Sequence, residues 1–242
     1  MILKYDLHIH SCLSPCGDED MTPNNLAGMA MLSGIRIAAL TDHNSTMNCP
    51  AFFKACEKVG VVPVAGMELT TAEEIHMVCL FPDLESALAF GEYVKENRFN
   101  IKNRPDIFGK QSIVDENDEE IGIEENLLIT ASYLDLDSAY FKVMEYGGVA
   151  YPAHVDKQSN SVIGILGDFP RDTGFSAAEF HDLENVSEYE SKYPALKGLR
   201  FVSCSDAHYL TNMSVDPPDL PIEEGSDDEI RLNLIKYLRG NL

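Results

Sequence analysis

Positive charge is scarce in this chain. Among 242 residues there are 18 Lys and Arg against 40 Asp and Glu, a net charge of −22 at neutral pH. No run of basic residues interrupts that balance. A protein that holds nucleic acid non-specifically needs a basic track to displace counterions, and an anionic membrane surface asks for the same. The composition therefore predicts neither extended nucleic acid nor membrane as a partner. No apolar run is as long as a membrane span. No basic segment leads into an apolar stretch at the N-terminus, the mark of a signal peptide. The six cysteines (Cys12, Cys16, Cys49, Cys56, Cys79 and Cys204) contain no CxxC pair. Scattered thiols of this kind fit a reducing, cytoplasmic setting.

What the chain does contain is an alternation of strands and helices. Leu3–Tyr5 opens a strand that runs on to His10. Thr22 and Pro23 read as N-cap and first turn of a helix that stops at Gly34. A buried strand at 35–41, a helix at about 50–59 ended by Gly60, strands at 61–69 and 75–81 and a helix at 83–97 follow. Later come a helix at 136–146, strands at 149–153, 177–182 and 199–204, and a terminal helix at about 227–239. Such alternation implies an α/β fold with a parallel sheet and right-handed crossovers. Seven strands are enough to close a barrel, and the length suits one domain over residues 1–242. Residues of about 98–131 break the rhythm. They carry a hairpin signature around Glu116–Glu119, and Ile107, Phe108, Ile113, Ile121 and Ile123 offer points for a small packed unit. Compact domains rarely carry so long a connection without a functional reason, so the segment reads as an insertion and lid over a small substrate.

The chemistry-bearing residues sit at strand ends. In Asp6-Leu7-His8-Ile9-His10, alternation places Asp6, His8 and His10 on one face, opposite Leu7 and Ile9. Imidazole suits zinc, iron and manganese, and carboxylate suits the harder divalent ions. Asp42-His43 follows the second strand, Glu68 lies near the end of the third, and His76 lies near the start of the fourth. His154 follows the fifth, and Asp206-x-His208 repeats the two-residue spacing after the last. Six of the seven histidines lie in such motifs, where α/β barrels keep their catalytic groups. These are more donors than one ion takes. Two or three ions bridged by a carboxylate is the natural reading, with Glu68 the first candidate for the bridge. Lys157 and Arg171, in the loop after His154, are candidates to bind phosphate oxygens, against the alternative of ordinary surface charge. His181, outside the motifs, and Glu179 either line the pocket from the sixth strand or serve structure.

The ordered motifs DLHIHS (6–11), TDHN (41–44), GMEL (66–69), IHMV (75–78), PAH (152–154) and SDAH (205–208) resemble those of the PHP family, the polymerase-and-histidinol-phosphatase domain, over nearly the whole chain. The resemblance implies a distorted seven-stranded (β/α)7 TIM-like barrel with a small insertion. It implies two or three divalent ions of zinc, iron or manganese, and hydrolysis of phosphoesters with Glu68, Asp206 and His208 at the chemistry. His8, His10, Glu68 and Asp206 resemble the ligands of one metal, Glu68, His76 and His154 those of a second, and His43 and His208 those of a third. The chain departs from the family where a His or Asp usually completes the third site. Pro15 and Cys16 stand there instead. Cys16 as a thiolate, Asp18 or Asp20 folding back around Gly17, and an incomplete third site are the alternatives.

In such sites two nearby ions activate a bridging water, orient the phosphate and stabilise the leaving oxygen, so little covalent chemistry falls to the protein. The expected function is a phosphoesterase acting on a small phosphorylated metabolite or nucleotide. A nuclease-type phosphodiesterase and a metal-binding regulatory module with little turnover are the alternatives. The acidic charge speaks against the nuclease, and the near-complete ligand set against the regulatory module.

Overall fold

The structure is a computed structural model that describes residues 2–213 and 216–241. Among these, the elements in order are β1 (Leu3–Ile9), α1 (Pro23–Leu32), β2 (Ile37–Leu40), α2 (Cys49–Val59), β3 (Val62–Thr70), β4 (His76–Phe81) and α3 (Leu84–Glu96). Then come α4 (Pro105–Phe108), β5 (Ser112–Val114), β6 (Glu120–Ile123), α5 (Leu136–Glu145), β7 (Val149–Pro152) and α6 (Val162–Leu166). The chain closes with β8 (Ala177–Glu179), α7 (Val186–Lys192), β9 (Arg200–Val202), β10 (Asp219–Leu220) and α8 (Asp227–Leu238). Local signals set many ends. Gly60 stops α2 in the left-handed region at φ 75°, Asp83 caps α3 by accepting from the Ser86 N–H, and Ser226 and Glu229 form a capping box on α8. Thr22 stands at the start of α1, but its hydroxyl donates to Asp118 at 2.7 Å instead of capping the helix.

The fold is α/β, and its strands divide. One six-stranded sheet has the order β10-β1-β2-β3-β4-β7, and β8 and β9 form a separate parallel pair. β1, β2 and β3 run parallel. β4 is antiparallel to both β3 and β7, a departure from the expected all-parallel sheet. The cause is length: residues 71–75 alone join β3 to β4, and a parallel crossover needs a dozen or more.

Two apolar clusters show how the sheet curls. Leu3, Tyr5 and Leu7 of β1, Ile37 and Ala39 of β2, Val62 and Val64 of β3, Val78 and Leu80 of β4 and Tyr151 of β7 pack together with Ala177 of β8 and Val202 of β9. Strands far apart in the sheet meet in that cluster, so it fills the inside of the curl, and Ile230 and Leu234 of α8 join it. Alternate residues (Ala38, Leu40, Ala65, Met67, Cys79, Phe81) face outward onto helices α1–α3. By the two-residue period Glu68 and His76 belong to the inner set. Gly66 is required in between, because a Cβ there would lie 2.4 Å from the Cys79 carbonyl oxygen.

The period fails in β1. Tyr5 and Asp6 pair with Ile37 and Ala38, but Ile9 pairs with Leu40, so a bulge intervenes. Leu7 therefore packs in the inner cluster and Ile9 in the outer one. Asp6 is not on a common face with His8 and His10. Its carboxylate accepts from the Ser205 N–H at 3.1 Å and spans the seam between β1 and the segment after β9.

The insertion differs from its expected packing. Ile107, Phe108, Ile121 and Ile123 are exposed, so they do not make an apolar unit. Polar contacts hold it together with the buried side chains of Val114, Leu127 and Leu128. Buried Arg98 pairs with Glu124 at 2.8 Å. The Gln111 side chain donates to the Glu124 and Asn126 carbonyls and accepts from Leu128 N–H. Asn44, next to His43, donates to the Leu128 and Thr130 carbonyls and accepts from Thr70 N–H. The returning limb of the insertion is thereby tied to the strand ends. No helix among the described residues is long and apolar enough to cross a membrane, and all six cysteines are free.

Candidate metal centre

His8 lies in β1, His10 just past it, His43 after β2, Glu68 in β3 and His76 at the first position of β4. His154 follows β7, and Asp206 and His208 follow β9. Reversal of β4 is what brings its first residue to the rim where the other strands end. Two of these positions are held in the left-handed region, His154 at φ 30° and Asp206 at φ 50°, as is Asn44 at φ 47°. Such backbone costs about 1–3 kcal/mol per residue and clusters where side chains must be aimed.

Glu68 is the hub. Its carboxylate oxygens lie 2.8 Å from His76 Nδ1, 3.0 Å from His43 Nδ1, 3.2 Å from His154 Nε2 and 3.4 Å from the Nε2 atoms of His8 and His10. Asp206 Oδ1 stands 3.5 Å from His8 Nε2 and 3.3 Å from His10 Nε2. Three overlapping donor groups result: His8, His10, Glu68 and Asp206; His43, Glu68 and His76; and His10, His43 and His208. His154 joins the second through Glu68. Burial works to raise the Glu68 carboxyl, but His76, His8 and His43 hold it well below the usual carboxylate range. Asp206, raised by burial, is likewise pulled below its ordinary value by His8 and His10. Burial lowers both inner histidines. His10 stays well below the ordinary value with His43 beside it, whereas Glu179, Glu68 and Asp206 override burial and raise His8 well above.

The donor set fits divalent metal. His8 Nε2 and His10 Nε2 face each other at 3.2 Å, and two imidazole nitrogens at that distance need either a shared proton or a cation between them. Glu179 accepts from His8 Nδ1 at 3.0 Å, which leaves Nε2 free as a ligand, the usual carboxylate–histidine support of a metal site. Two nitrogens and two carboxylates around one point match the ligand chemistry of zinc, iron or manganese.

The remaining predicted residues separate. Lys157 Nζ reaches Asp206 Oδ2 at 2.8 Å. Arg171 is exposed and lines surface clefts with Phe169, Pro194 and Asp172. His181 is exposed, its N–H donated to Asp156. Cys16, Asp18 and Asp20 join none of the three donor groups. Asp18 is fixed by its own N–H, which donates to the His208 carbonyl. The loop folds tightly there because Gly17 lies so close to Ser11 O that a Cβ would come within 2.4 Å. The sequence reading missed Ser14, which hydrogen-bonds behind His10 and onto Asp42. Its signal was a Ser-x-x-Ser run directly after the paired histidines.

The family model for the PHP domain matches residues 6–157. The chain belongs to the PHP domain family. A 5'-3' exoribonuclease of Haemophilus influenzae is 31% identical over 106 residues, 40% of this chain and 38% of that protein. Endonuclease Q of Pyrococcus furiosus, a lesion-specific enzyme, superposes with a TM-score of 0.67 at 19% identity, over 99% of this chain and 56% of its own. An amidohydrolase from Chromobacterium violaceum, solved with sulfate and no metal, gives 0.60 at 19% identity over 90% and 92% of the two chains. This chain thus spans about half the length, or less, of the first two.

These likenesses overturn one expectation, that of a small phosphorylated substrate with no extended nucleic acid. An endonuclease Q structure holds a 27-mer duplex with an abasic lesion at its active site, and the Haemophilus relative is an exoribonuclease. The error lay in reading a whole-chain charge as a local one. Fields are screened beyond about 8–10 Å at physiological salt, and a strand taken up by its scissile phosphate at a metal centre needs no basic track around the protein.

Proposed function

We propose that this chain hydrolyses phosphodiester bonds in a nucleic-acid strand at a centre of two or three divalent ions held around Glu68. The observation that carries the reading is the position of Glu68 within 3.4 Å of nitrogens on five histidines. His8, His10, Glu68 and Asp206 hold one ion, and Glu68, His76 and His154 a second. His43, His208 and His10 form the third set, with no ligand from the 15–20 loop. Bound ions supply Lewis acidity and an activated water. Glu68 and Asp206, held ionised, neutralise that charge and keep the ions in register. Lys157, partly exposed beside Asp206, is the cation available to a non-bridging phosphate oxygen. His208, also partly exposed, gives its Nδ1–H to the Asp206 carbonyl and keeps Nε2 for the third set. The insertion, tied to the rim through Asn44, forms a wall along which a strand lies. The acidic surface elsewhere limits contact to a few nucleotides near the scissile bond.

The reading is tested by incubating protein loaded with manganese, zinc or iron with 5'-phosphorylated single-stranded RNA and DNA, an abasic duplex, and an aryl phosphate monoester. Metal-dependent cleavage of an oligonucleotide, abolished by chelator and by Glu68→Ala, is the expected result. Turnover of the monoester alone, or no cleavage of any oligonucleotide, overturns it.

A further inference from the structure

Ser14 is fully buried on the loop that leaves β1, and its hydroxyl has a single hydrogen to give. Ser14 Oγ donates that hydrogen to Asp42 Oδ1 at 2.6 Å. Asp42 also takes the Ser11 N–H at 2.7 Å and the Ser11 hydroxyl at 2.6 Å, and a carboxylate can only accept. What Ser14 turns toward its other neighbours is therefore a lone pair. Those neighbours are His10 Nδ1 at 3.0 Å and the His43 backbone N–H at 3.2 Å. His10 must carry its proton on Nδ1, so Nε2 faces the point shared with His8, Glu68 and Asp206. The same oxygen seats His43, which belongs to the other two donor groups.

We propose that Ser14, backed by Asp42, is a positioning residue of the metal centre, one hydroxyl that sets the tautomer of His10 and anchors His43. The inference rests on the metal-centre reading above. It treats Ser14 as the counterpart, on His10, of what Glu179 does on His8. A ligating imidazole whose far nitrogen is engaged keeps both its orientation and its basicity, and loss of that partner weakens metal binding. A serine that merely filled the loop would affect folding and leave affinity alone.

The test is zinc affinity, measured by chelator competition near neutral pH on wild type, S14A, S14T and S11A. S14A is expected to weaken the tightest zinc binding about 10- to 100-fold, while S14T, which keeps the hydroxyl, and S11A, which keeps the Ser14–His10 contact, stay within a few-fold of wild type. In zinc-loaded protein, nitrogen-15 NMR should show His10 bound through Nε2, with an Nδ1–H that exchanges slowly in wild type and fast in S14A. Zinc binding by S14A as tight as wild type, an equal loss in S11A, or His10 bound through Nδ1 overturns the inference. Should S14A not fold, the wild-type spectrum alone decides it. Wild type that binds no zinc removes the metal centre itself, and this role of Ser14 with it.

Discussion

Glu68 Oε1 and His76 Nδ1 lie 2.8 Å apart although their strands run in opposite directions. Glu68 is near the end of its strand and His76 at the start of the next, so the short reversal at 71–75 places both on one rim. Glu68 is then the group that every donor set but one depends on. Glu68→Ala should reduce bound metal by at least one ion per chain and lower turnover by about 10²-fold or more, beyond the loss typical of supporting residues. Elemental analysis and a turnover assay check it. Cys16→Ala should change neither, and a reversed pattern would remove Glu68 as the bridge.

Cys16 offers a second check. It is exposed, yet desolvation and the carboxylates of Glu68, Asp42 and Asp206 push its thiol up to about 12. Chelated protein should therefore react slowly with a maleimide at mildly alkaline pH. Added manganese neutralises the carboxylates, and labelling of Cys16 should accelerate. Protection by metal would instead assign the sulfur as a ligand. The buried thiols of Cys49, Cys56 and Cys79, raised by desolvation, should stay unlabelled throughout in folded protein.

Glu179 should matter through charge as well as contact. It accepts from His8 Nδ1, and Glu179→Gln keeps an acceptor while losing the charge. Metal affinity should fall about 10-fold for Glu179→Gln and about 100-fold for Glu179→Ala, with His8 freed to turn. Isothermal titration on both variants reads the difference, and equal affinities across wild type, Gln and Ala would end the assignment.

The metal-free protein should be most stable near the ordinary histidine pKa, about pH 6.5. His10 and His43 are lowered in the folded state, so their contribution is present above that pH and is lost as pH falls through their folded values. His8 is raised, so its contribution is present below that pH and is lost as pH rises through its folded value. Glu68 and Asp206, both lowered, contribute throughout this range and lose their effect only in acid, below about pH 4. Metal needs neutral imidazoles, so the rise in Tm on adding manganese should grow from pH 6 to pH 8, as thermal scans with and without chelator would show. A metal-induced shift that is flat in pH would exclude His8 as a ligand.

Deleting residues 104–126 with a short Gly-Ser linker should leave metal content intact, because Asn44 keeps its hydrogen bonds to Leu128 and Thr130, and should impair oligonucleotide cleavage by removing the wall beside the rim. Unchanged kinetics on every substrate would reduce the segment to a solvated excursion.

Most of the donor set was legible in order along the chain, because each donor belongs to a motif of two to six residues beside a strand end. Element positions were legible for the same reason: Gly60, Asp83 and the Pro-led helix starts act locally. Face and direction were not. The period-two reading of β1 broke at the bulge that separates Asp6 from His8 and His10, since a bulge is set by pairing with β2 and leaves no mark in composition. The direction of β4 was decided by the length of one turn. The apolar residues of the insertion were visible as residues, but only their surroundings showed that they face solvent. Asp42 and Glu179 came to support the histidines because separate segments converge behind the rim, and hydrogen bonds across 28 to 171 residues of chain are a property of the fold, whereas Ser14 lies only four residues from His10. Net charge is a sum over the whole sequence, whereas what binds at the centre depends on the few groups within a screening length of it.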